Sequence, residues 1–130
     1  MAAVPQTADT SIVAPEQEVA PVAPCTDAAC VRELITLYAK RYGVNREIAL
    51  LVARCESEFK TTAVGDGGKA YGVYQFHKPT FREFAAKSGE EGLEYKDPED
   101  SIKLAMWAFS TGRADHWSCY GKVKQSLANR

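Results

Sequence analysis

The sequence predicts a mainly helical domain interrupted by one short region of loop and strand. Two patterns point that way. First, apolar residues recur at helical spacing in successive segments between residues 27 and 112, each opened by a residue suited to capping. Second, four glycines fall between positions 65 and 72 and are followed by a stretch rich in Tyr, Gln and Phe. Glycine permits close backbone approach and positive φ, as a loop lining a cleft requires. No internal repeat and no alternation of strand and helix is visible, which excludes a parallel-sheet class.

Taken in order, residues 1–24 hold Pro5, Pro15, Pro21 and Pro24 among Ala, Val, Gln and Glu, with no periodic pattern. That composition predicts a disordered, semi-extended stalk, and residues 25–130 are expected to form the domain. A first helix over 27–42 is capped by Thr26 or Asp27, buries Val31, Leu34, Ile35, Tyr38 and Tyr42, and stops at Gly43. Asn45 caps a second helix over about 46–58, whose apolar line is Ile48, Leu51, Val52, Cys55 and Phe59. Residues 60–76 form the loop, with a small strand or hairpin. Thr80 and Glu83 read as a capping box opening a third helix to about Ser88, with Phe81, Phe84 and Ala85 facing the core. Asp97-Pro98 opens a fourth, with Ile102, Ala105, Met106 and Phe109 as its buried stripe and Gly112 as its stop. Trp117 and Tyr120 are expected in a short C-terminal tail; Trp117 is the residue expected to seal the core.

The chain as a whole bounds the function. At 130 residues it is long enough for one domain with a real core. A net charge of −1 offers no nucleic-acid footprint, and no apolar run reaches the roughly 20 residues of a membrane span. Met1-Ala2-Ala3-Val4-Pro5 lacks the charged and apolar regions of a signal peptide, so a leader or anchor is expected to be missing from this chain. Cys25, Cys30, Cys55 and Cys119 allow three disulfide pairings in an oxidising compartment. The expected set is Cys25–Cys30 with Cys55–Cys119; a free, buried Cys55 is the alternative. With no C-x-x-C and two histidines, no structural zinc is expected.

Glu56 is the candidate for chemistry. Ile48, Val52 and Glu56 are successive i+4 positions, so Glu56 continues the flank of a buried stripe. A carboxyl against apolar neighbours and near a helix C-terminus has its charged form disfavoured, and its pKa rises. That suits a general acid working near neutral pH. Asp66 lies between glycines, where ordinary turn chemistry competes with a role facing Glu56.

Glu56-Ser57 followed by Gly72-Val73-Tyr74-Gln75 resembles the catalytic motifs of the lysozyme-like superfamily, specifically goose-type lysozymes and soluble lytic transglycosylases. Gly65-Asp66-Gly67-Gly68 is similar to the goose-type loop, and Ala108-Phe109-Ser110-Thr111-Gly112 stands in place of the family's Ala-Tyr-Asn-Ala-Gly. The resemblance covers roughly residues 30–121. It implies an α+β lysozyme-like fold with a glycan cleft and cleavage of peptidoglycan at the β-1,4 bond between N-acetylmuramic acid and N-acetylglucosamine. It also implies Glu56 as general acid and Asp66 as holder of a water. Ser57, Tyr71, Tyr74, Gln75, His77 and Tyr120 are then the expected substrate contacts, without cofactor, in a monomer of the cell envelope or outside the cell. His77 stands where goose-type enzymes carry a second Asp, Phe109 replaces the family's Tyr, and Tyr74 replaces a smaller apolar residue. These departures keep a non-catalytic glycan-binding module as the rival reading.

Overall fold

The computed structural model describes residues 25–130, so the expected stalk over residues 1–24 lies outside the described residues. Helix α1 spans Ala28–Tyr42; the Asp27 side chain accepts from the Cys30 amide, and Gly43 closes the helix at φ 69°. Helix α2, Arg46–Ser57, is capped by Asn45, which accepts from the Ile48 amide. Between the helices come three two-residue strands: β1 Val64–Gly65, β2 Ala70–Tyr71 and β3 Phe76–His77. They pair antiparallel in the order β1-β2-β3. Helix α3 is Lys78–Ser88 and α4 is Pro98–Ser110, the latter capped by Asp97 through the Asp100 amide with Pro98 in its first turn.

Three expectations are corrected. Helix α3 begins at Lys78, so Thr80 sits inside its first turn and the capping box is not used; Pro79, with its fixed φ and no N–H, is accommodated there instead. The C-terminal tail is a full helix, α5, over Ser118–Ala128. Cys119, Val123 and Leu127 at i, i+4 and i+8 were the signal for it. The buried face of α2 is Ala49, Val52, Ala53 and Ser57, while Ile48 and Leu51 are half-buried and Cys55 is exposed. Small side chains on that face let neighbouring backbone come close.

The core gathers Val31, Ile35, Tyr38 and Ala39 of α1 against α2 and α4, with Ile102, Leu104, Ala105, Met106 and Ala108 supplied by α4. Helix α5 packs on α2 and α3 on α4. Trp117 does seal the core: it is 4% exposed and meets Tyr74, Phe76, Phe84 and Phe109 edge to face.

The sulfurs are paired Cys25–Cys30 and Cys55–Cys119, with Cα atoms 5.6 and 6.0 Å apart. The first spans 5 residues and the second 64. Loop-closure entropy grows with the logarithm of that span, so the long bridge is worth about 4 kcal/mol and the short one about 2. Cys55→Ser/Cys119→Ser is therefore expected to lower the unfolding free energy roughly twice as far as Cys25→Ser/Cys30→Ser in denaturant titrations.

Candidate active site

The Gly72–Gln75 turn is clamped onto α2 from below. The buried Ser57 hydroxyl donates to the Val73 carbonyl at 2.8 Å, and the Tyr74 hydroxyl donates to the Ala49 carbonyl at 2.7 Å. From the other side the Trp117 indole donates to the Tyr74 carbonyl at 2.8 Å. Gln75, held at φ 52°, donates its side-chain amide to the carbonyls of Ala63 and Gly72, at 3.0 and 2.8 Å. Gly65 leaves the room this needs, because a Cβ there would collide with the Gln75 side-chain oxygen.

These contacts open a hollow of about 230 Å³ lined by Glu56, Asp66, Gln75, His77, Thr80, His116, Trp117 and Ser118. Glu56 reaches it from the last turn of α2. Burial lifts its carboxyl above the ordinary glutamate value, and the negative Asp66 lifts it further; the Cys119 backbone amide and Lys122 pull it partly back. Asp66 opens a turn of 3-10 helix over Asp66–Gly68 at φ 51°, a conformation Asp tolerates better than most residues. Its Oδ2 meets His77 Nε2 at 2.8 Å. His116 stands at the rim, where desolvation and the neighbouring His77 push its pKa below the ordinary histidine value.

Of the expected site residues, the structure brings Glu56, Asp66, Gln75 and His77 together and leaves four outside. Tyr74 is 0% exposed, with its hydroxyl bonded inside the core, so it cannot touch a ligand. Ser57 points into the core to the Val73 carbonyl, away from the hollow. Tyr71 packs near Tyr95 under the Lys96 ammonium, outside the residues lining the Glu56 hollow. Tyr120 packs beside Phe109 in a different hollow, with Ile48 and Ala114. Thr80, His116 and Ser118, which line the hollow, were missed, as was the Cys119 amide, because they join it only once α3 and the C-terminal segment are packed.

A family model described as the Transglycosylase SLT domain matches residues 33–116. The chain belongs to that family. The SLT domain also superposes on an inactive mutant of the lytic transglycosylase Slt from Pseudomonas aeruginosa, with a TM-score of 0.56 at 23% identity. That match covers 65% of this chain and 14% of the Slt chain, and at this identity it speaks for the helical lysozyme-like fold alone. No curated protein matches the sequence. The matched span takes in Glu56, the glycine-rich loop and His116, and it stops short of α5.

Glu56 favours protonation in the folded protein, so its contribution to stability is present at low pH and lost as pH rises through its raised folded-state pKa. Glu56→Gln is accordingly expected to raise Tm at neutral pH relative to the native chain and to leave it nearly unchanged in acid, as read by thermal melts at both pH values.

Proposed function

We propose that this SLT domain cleaves peptidoglycan at the β-1,4 bond between N-acetylmuramic acid and N-acetylglucosamine, with Glu56 as general acid. The observation that carries the proposal is a carboxyl whose pKa is raised by burial, in a cleft of an SLT domain. The protonated Glu56 gives its proton to the glycosidic oxygen as the bond to the muramic C1 breaks, and the N-acetylglucosamine leaves with a free hydroxyl.

Two completions compete for C1. In the first, the muramic 6-hydroxyl closes on C1, its proton returns to the Glu56 carboxylate, and the product is an anhydro-sugar one water lighter. Membership of the transglycosylase family supports this route. In the second, a water attacks C1 from the opposite face and gives its proton to Asp66, which calls for roughly 6.5–9.5 Å between the carboxyls. The presence of Asp66 in the same hollow, close enough to raise the Glu56 pKa, favours this second reading. Neither route needs a cofactor. The disulfides favour work in the oxidising cell envelope or outside the cell.

Purified peptidoglycan digested by the native chain is expected to release muropeptides, detected by mass spectrometry, that vanish with Glu56→Gln. Binding without any release would instead leave a glycan-binding module. The pH profile is the second check. The acid must be protonated, so kcat/KM falls as pH rises through the Glu56 pKa, with that limb displaced upward from the ordinary glutamate value. Asp66→Asn removes the negative charge facing Glu56, and that limb is expected to move to lower pH whatever happens to the rate.

A further inference from the structure

The pairing of Asp66 with His77 is the feature that the general-acid reading leaves unused. His77 is the residue from which α3 starts, yet its side chain makes no capping hydrogen bond to that helix. Its imidazole is directed instead to Asp66, Nε2 to Oδ2 at 2.8 Å. The sheet register creates the meeting: Gly65 pairs with Ala70, and Ala70 pairs with His77, so the residue after Gly65 comes within reach of the third strand. An ionised carboxylate only accepts hydrogen bonds, so Nε2 carries the hydrogen and donates it.

The pair is a poor candidate for a stabilising contact. The side chains are 41% and 68% exposed, and ion pairs so open to water contribute little to stability. The Asp66 backbone is nonetheless held at φ 51°, a cost accepted at a residue that lines the Glu56 hollow. A tethered carboxylate differs from a free one in a useful way. With Oδ2 occupied by His77, Oδ1 is the oxygen left to accept from another donor, and its direction is fixed by the first bond.

We infer that His77 is a positioning residue: it holds Asp66 so that Oδ1 orients a water across the hollow from Glu56, and thereby directs cleavage toward hydrolysis. In that route the water oxygen bonds to C1 as the glycosidic bond breaks, one water proton passes to Asp66 Oδ1, and solvent later reprotonates Glu56. Without the tether Asp66 swings into solvent, no water is held, and the intramolecular 6-hydroxyl closes on C1 instead, with its proton going to Glu56. The proposal rests on the glycosidase reading above and refines it by naming the residue that selects the product.

The test is the ratio of hydrolysed to anhydro muropeptides, read by mass spectrometry from digests of peptidoglycan. A ratio within the released products does not depend on how much of a variant is folded. His77→Ala is expected to lower the ratio severalfold, up to about fivefold, as the loss of so exposed a pair allows. His77→Gln, whose amide nitrogen stands near the position of Nε2, is expected to restore most of it. His77→Ala in an Asp66→Asn background is expected to change nothing further. A native-like ratio in His77→Ala, or a native chain whose Glu56-dependent products are anhydro alone, would overturn the role of His77 and leave Glu56 as the acid. Absence of any Glu56-dependent product from the native chain would overturn the glycosidase reading, and the role of His77 with it.

Discussion

The Gly72–Gln75 turn is the keystone of this structure, and it is held by three buried hydrogen bonds. Ser57 reaches the Val73 carbonyl, Tyr74 reaches the Ala49 carbonyl, and Trp117 reaches the Tyr74 carbonyl. Unpaired, those buried carbonyls and hydroxyls would each carry a desolvation cost of about 1–3 kcal/mol. Paired, they join the small sheet, α2 and the C-terminal segment around one point. Tyr74 is what makes this possible, since its ring fills the core while its hydroxyl crosses to α2. The large residue at position 74 is thus a structural choice, and the Phe109 and Trp117 rings close edge to face around it.

The same arrangement sets the character of Glu56. Docking the turn on one side and α5 on the other leaves the carboxyl half-buried between Asp66 and the Cys119 amide. Cys55, immediately before Glu56, is bonded to Cys119, immediately after Ser118 of the hollow wall. One covalent bridge therefore ties the helix that carries the acid to the wall that faces it. No phenol is available from position 109, where Phe109 packs on Tyr74 and Trp117. The Cys119 amide on α5 is instead what tempers the rise in the Glu56 pKa.

Much of this was legible beforehand where the signal is local. The caps Asp27, Asn45 and Asp97 and the glycine stop at Gly43 bind their own helix ends, so short-range chemistry determines them. Other readings failed where a local pattern met a competing demand. Thr80 and Glu83 form a good capping box, but Pro79 fits the first turn and the helix starts earlier. The polar C-terminal segment hid α5, because only Cys119 and Val123 of that helix are buried. Ser57, Tyr71, Tyr74 and Tyr120 have tips suited to sugars, yet the direction of each side chain was set by packing.

The sequence by itself determined the helical class, most helix boundaries, the position of Glu56 on the flank of a buried stripe, and the motifs that mark the family. These depend on residue order, periodicity and capping, all of which act over a few residues. Only the tertiary structure decided which polar residues share the hollow with Glu56. Asp66 and His77 meet through strand register, and His116, Ser118 and the Cys119 amide arrive from segments some 60 residues further along the chain. A side chain's burial and partners depend on contacts of that range, which no local pattern records.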